Sequence, residues 1–408
     1  MTKSEFKHNI QRGLGSCISE LIKTNNIEKY KDIVIWACSR ELAYDAQCEG
    51  TRAVYLSQII DMYDDWDDFY NAVNTRIQRC VSKNNREFMQ HAVLLSLMAG
   101  AGFEQAGISL SEIYTKLFDM LMKKRRMSNN RSMAEKFNFS NLCIALTSYS
   151  CKSPDEIAKM YLKITSDIGK LLLQNKKLYD YSDFEWYQIV CEQTLGKNTV
   201  NKILKKNAEN KYISAYIFSR NEYEGASESR EPSDLQVSVS NILNSKYSSE
   251  NLDIEGLIHD SKSDTAELSE NALETLSNIK DIRVLDYALA RANSGEKDMY
   301  TVKILLKNYT AENKDLIIRL VKEFPINIHT DWHSVFSAVL DLFGEKGVKG
   351  LPNELLLYMY KNTLCSFCRF YIVRELGKRH MLSRALLEEC RYDCNDDIRD
   401  YAVKRLLK

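Results

Sequence analysis

Apolar residues recur along most of the chain at intervals of three and four, the spacing that places them on one face of a helix. Phe6, Ile10, Leu14, Ile18, Leu21 and Ile22 form a first stripe, closed by Thr24-Asn25-Asn26. Ile33, Val34, Ala37 and Leu42 form the next, followed by Leu56, Ile59, Ile60 and Tyr63, and then by Phe69, Val73, Ile77 and Val81. Val93, Leu94, Leu97 and Met98 run up to Gly100-Ala101-Gly102, and a long stripe joins Ile157, Met160, Tyr161, Ile164 and Ile168. The pattern predicts an all-α chain of roughly 20 helices joined by short polar turns.

Helix punctuation supports that reading. Ser153-Pro154-Asp155-Glu156 sets a capping hydroxyl before a proline at the first helical position, with acids in the first turn. Leu351-Pro352-Asn353-Glu354 predicts another start, and Pro325 a stop after Lys314–Phe324. Sheet turns consume glycine and proline, and only 15 Gly and 4 Pro occur in 408 residues, which argues against a sheet protein.

Charge divides the chain into three. Residues 220–274 carry 13 acidic and 4 basic side chains, a net of −9, between mildly basic flanks at 1–219 and 275–408. The expected organisation is an N-terminal helical array (1–219), an acidic polar linker with short helices (220–274) and a C-terminal repeat region (275–408). Arg220–Ser233 has no aliphatic side chain larger than alanine and is expected to be a mobile loop. The whole chain balances 56 Lys and Arg against 56 Asp and Glu, which weighs against a dedicated duplex-DNA binder. No apolar run approaches the ~20 residues of a membrane span. The eleven cysteines are scattered, and a reducing cytoplasm is the expected location.

The clearest internal similarity is C-terminal. Cys368–Leu376 (CRFYIVREL) aligns with Ile398–Leu406 (IRDYAVKRL) at an offset of 30, with Arg369/Arg399, Tyr371/Tyr401, Val373/Val403 and Leu376/Leu406 identical. Leu382–Leu387 supplies an intervening helix, so each unit is one helical hairpin. With Asn395-Asp396-Asp397-Ile398-Arg399 and Leu376-Gly377, this stretch resembles the HEAT-like repeats of the phycobilisome-lyase type. The resemblance covers about 45 residues; Ile282-Arg283 and Arg86–Leu97 are weaker echoes. It implies an α-solenoid of stacked hairpins, irregular in the N-terminal half, and a binding role without catalysis. The matched positions are structural, with Arg369 and Arg399 expected near the turns, meeting carboxylates or carbonyls.

Candidate chemistry is sparse. His329-Thr-Asp-Trp-His333 spaces two imidazoles one turn apart, but lacks a metallopeptidase glutamate and reads as a helix start. Cys365-Ser-Phe-Cys368 with Cys390 and Cys394 superficially resembles a four-thiolate zinc site; yet Cys368 falls on an apolar repeat position, so core packing is the expectation. The acids of Asp61–Asp68 are expected to cap a helix, since no glycine supplies a calcium loop's turn. No glycine-rich phosphate loop or nucleophile elbow occurs. The expectation is therefore no catalytic residue, no metal and no cofactor.

The strongest basic run is Lys123, Lys124, Arg125 and Arg126, with Arg131 nearby. It either ends a solvated helix or contacts phosphate or an acidic partner, and these five residues are the candidate partner-binding site. The leading expectation is a protein-binding helical-repeat scaffold or adaptor that does not engage membranes. The alternative is a nucleic-acid-binding repeat protein that resembles the HEAT-like DNA glycosylases in architecture only.

Overall fold

A computed structural model of the chain describes residues 1–24, 26–44, 52–83, 88–123, 129–174, 178–228, 253–327, 331–344 and 352–407; for 129–135 and 225–228 it describes the backbone alone. The described residues form 22 α-helices and two short 3₁₀ turns, are 77% helical, and include no strand. No described helix is long and apolar enough to cross a membrane. The chain divides into two compact units, 1–231 and 232–408.

Local chemistry sets the helix limits of the first unit. Thr2 Oγ1 accepts from the Glu5 N–H (3.2 Å) while the Glu5 carboxylate accepts from the Thr2 N–H (2.8 Å), a capping box that starts helix Lys3–Arg12. The predicted stripe from Phe6 to Ile22 is broken here. Gly13 takes φ 69° and ends the first helix, and a second begins at Ser16. The stripe keeps its face because Phe6, Ile10, Leu14, Ile18 and Leu21 are all buried across the break. Pro154 opens helix Pro154–Gln174 as expected, with the Ser153 hydroxyl accepting from the Glu156 N–H. Gly102, at φ 102°, stops Met89–Ala101.

The core of this unit is built on long helices. Met89–Ala101 packs against Arg52–Ile60, Glu104–Lys123 and Asn129–Tyr149, while Pro154–Gln174 packs along Lys211–Glu228. The last two approach so closely at Gly169 that a Cβ there would overlap the Tyr212 carbonyl oxygen. Beneath them Gln188 Oε1 accepts from both Tyr161 and Tyr216 hydroxyls at 2.7 Å, and all three residues are buried. The expected loop at Arg220 is absent: 220–228 continue the helix. Arg220 donates to Glu192 and Glu224, anchoring a stretch whose composition lacks apolar anchors. Residues 229–233 lie outside the described residues.

The second unit repeats a simpler pattern. Helices starting at 266, 299, 332, 366 and 396 each pack on the next of the series, at intervals of 33, 33, 34 and 30 residues. Other helices alternate with them, among them Ile282–Asn293, Asn353–Asn362 and Arg384–Cys390. The last two members of the series share a cap register. Cys365 Sγ accepts from the Cys368 N–H (3.4 Å) and Asn395 Oδ1 from the Ile398 N–H (3.1 Å), 30 residues apart. Ile372 and Ala402 are both fully buried, as their shared register requires. Arg369 is wholly buried and forks onto Asp393, with Nε at 2.8 Å and Nη2 at 2.9 Å. Arg399 donates to the Asp393 carbonyl (2.8 Å) and pairs with Asp396 at the surface. The weaker echo at Ile282-Arg283 does not keep this register: Arg283 pairs with its own helix cap, Asp281, in the open.

Candidate functional site

The predicted basic site falls only in part within the described residues. Lys123 is exposed at the end of Glu104–Lys123, while Lys124, Arg125 and Arg126 lie outside the described residues; Arg131 lies within helix Asn129–Tyr149, its side chain undescribed. Lys123 borders a shallow depression of about 520 Å³ in which Glu112, Lys116, Asp119 and Lys123 follow one another along the helix. Glu112–Lys116 and Asp119–Lys123 are i,i+4 spacings of opposite charge. Here the surface is mixed rather than basic.

The acidic segment behaves as a helix start. Asp65 Oδ1 accepts from the Asp67 N–H, Asp68 pairs with Lys31 at 3.0 Å, and Trp66 donates to the Tyr63 carbonyl.

The two metal-like motifs are rearranged. Cys390 and Cys394 do not join the Cys365/Cys368 pair. Cys394 Sγ accepts from Arg369 at 3.3 Å, and Cys390 Sγ lies 3.6 Å from the Tyr360 hydroxyl. Burial pushes the Cys390 thiol up to about 12, so it stays protonated. Instead, Cys365 and Cys368 face His333, from the neighbouring member of the helix series. Cys368 Sγ is 3.5 Å from His333 Nε2 and 3.8 Å from Nδ1, and one ligand atom from each of the three residues falls within 4.8 Å of the others. Both cysteines are buried and His333 is half-buried. His329 lies outside the described residues.

The local fold explains the meeting. Cys365 is the N-cap of Ser366–Lys378 and Cys368 the third helical residue, a spacing that turns both sulfurs to the same side. His333 sits in the first turn of Trp332–Gly344, which packs on Ser366–Lys378, and its neighbours Trp332 and Phe336 are fully buried. Sequence reasoning paired His333 with His329 and the cysteines with later cysteines. The signal it missed is the spacing between His333 and Cys365, close to one repeat, which brings equivalent helix starts side by side.

The same helix presents an aromatic face outward. Phe367 and Tyr371 are 46% and 44% exposed and pack edge to face at 5.1 Å between ring centroids. Phe370 meets Tyr371 at 5.7 Å, and the exposed Arg374 guanidinium lies 5.6 Å from the Phe370 ring. In the first unit a cleft of about 480 Å³ is lined by Tyr179, Tyr181, Phe218 and Tyr223, with Phe218 57% exposed. Comparison with family models, curated proteins and solved structures returns no match.

Proposed function

We propose that this chain is a non-catalytic, HEAT-like α-solenoid scaffold that binds another protein. The observation that carries the reading is the outward row Phe367, Phe370, Tyr371 and Arg374 on a helix whose opposite face is locked into a stacked series. Exposed aromatics beside arginine are the side chains that dominate protein–protein contacts, because they bury large area at small entropic cost. A stacked series leaves one edge of each helix free for such a contact, since each repeat buries its apolar face only against its neighbours. The mixed charge beside Lys123 favours a protein over a phosphate backbone, which would draw on a continuous basic surface.

The test is affinity capture from the native host with wild type and with Phe367→Ala/Tyr371→Ala. Both chains are expected to melt within ~1–2 °C of one another, since exposed substitutions change stability little. The aromatic variant is expected to lose the captured protein. Retention of the same protein by the folded variant overturns the assignment of this face. Charge reversal at Lys123, Lys124, Arg125 and Arg126 then reports whether the basic run is a second contact, read as a loss that grows at low salt.

A further inference from the structure

We propose that His333, Cys365 and Cys368 bind one thiophilic metal ion, zinc first among them, through one imidazole nitrogen and two thiolates, with a fourth position open to an exogenous ligand. The inference is independent of the proposed partner binding. Among the described residues this is the group of three ligating side chains that the fold brings within 4.8 Å.

The spacing fits the ion. Tetrahedral zinc, at about 2.3 Å from sulfur and about 2.0–2.1 Å from nitrogen, holds S and N about 3.6 Å apart and two sulfurs about 3.8 Å apart. The Cys368 Sγ–His333 Nε2 separation is already 3.5 Å, and a small side-chain adjustment brings in Cys365.

Ligand chemistry fits as well. Two thiolates and an imidazole select soft or borderline ions such as Zn²⁺ and Cu⁺ over Mg²⁺ or Ca²⁺. The cysteines occupy the cap and first turn of Ser366–Lys378, where the positive end of the helix favours thiolate. The Cys368 N–H already points at Cys365 Sγ, a hydrogen bond that orients the ligand. Metal entry would release the two S–H protons to solvent and leave sulfur's oxidation state unchanged. His333 is the one half-buried member of the three, so the ion would enter from its side. The cysteines that could have completed a four-thiolate site are held elsewhere, by Arg369 and Tyr360.

The experiment uses the full chain, purified with reductant, stripped with chelator and titrated with Co²⁺ and then Zn²⁺. The expected result is one equivalent of cobalt, a thiolate-to-cobalt charge-transfer band, d–d bands of tetrahedral intensity, and displacement of cobalt by zinc. His333→Asn and Cys368→Ser are expected to weaken zinc at least ~100-fold in competition with a chromophoric chelator, since each removes a primary ligand. Cys151→Ser, in the first unit, is expected to leave it unchanged. Wild type that takes up no stoichiometric cobalt, or gives only weak octahedral bands, overturns the proposal whether or not the variants fold. So does unchanged zinc affinity in folded His333→Asn and Cys368→Ser.

Discussion

His91 in the first unit and Arg369 in the second are both wholly buried side chains able to carry positive charge, and the two units handle them oppositely. Burial pushes the His91 imidazole down to about 3, with Arg76 pushing the same way and the Cys38 carbonyl opposing, so the ring is neutral even though the Glu41 carboxylate lies 4.0 Å from Nδ1. Arginine has no such exit, because its guanidinium does not deprotonate in proteins. Burial pushes Arg369 down too, but the carboxylate of Asp393 more than reverses this and holds it charged. One unit removes the charge and the other pairs it. The difference teaches that burial of a cation is settled by what the side chain can give up.

The largest expected effect breaks the pair. Arg369→Ala leaves Asp393 buried without its partner and is expected to cost about 3–5 kcal/mol in urea unfolding. Arg369→Met with Asp393→Leu is expected to recover most of that, because the loss comes from an abandoned charge and not from a missing attraction. A double variant as unstable as the single would mean that the pair itself supplies the stability.

Next comes pH. The folded pKa of His91 lies below its unfolded value near 6.5, so its contribution to stability is intact above that value. It is lost as pH falls from about 6.5 toward about 3, at about 1.4 kcal/mol per pH unit. Between pH 7 and pH 5 wild type is expected to lose about 2 kcal/mol more than His91→Gln, which cannot take up the proton. Parallel curves for the two chains would show that the imidazole is already protonated in the fold.

A smaller effect probes the packing of the final hairpin. Gly377 lies under the final hairpin, where a Cβ would overlap the Tyr401 hydroxyl. Gly377→Ala is expected to cost about 1 kcal/mol or somewhat more, and less in a Tyr401→Phe background. The smallest effect belongs to the register partner of Arg369. Arg399→Ala is expected to cost about 0–1 kcal/mol, because its ion pair with Asp396 is at the surface. A cost near that of Arg369→Ala would erase the distinction between the two repeats.

Arg369 and Arg399 also mark how far the sequence was readable. Identity at an offset of 30 placed both at turns, near a carboxylate or carbonyl, which is where they are. Periodicity cannot say which one is buried, because that depends on what covers it: Asp393, between the last two described helices, closes over Arg369. The earlier members of the helix series went unread for a related reason. They keep the spacing of 33 or 34 residues but not the side chains, since Ser269, Val302 and Val335 stand at the helix position that Arg369 and Arg399 occupy. The continuous helix at Arg220 escaped composition because its anchors are ion pairs to Glu192 and Glu224. The thiol–imidazole cluster escaped because its members belong to neighbouring helices, and local spacing sees only one helix at a time.

The contact at Gly169 has a mechanical meaning. The carbonyl of Tyr212 rests where only a hydrogen atom fits, and the residues one turn away on the same face, Thr165 and Leu173, carry full side chains. Sliding helix 211–228 by one turn along helix 154–174 would drive that oxygen toward a Cβ. The pair therefore works like a key in a slot: it can tilt or translate as one body, but it cannot creep. A pull on the C-terminal end of helix 211–228 would reach Pro154–Gln174 without slip.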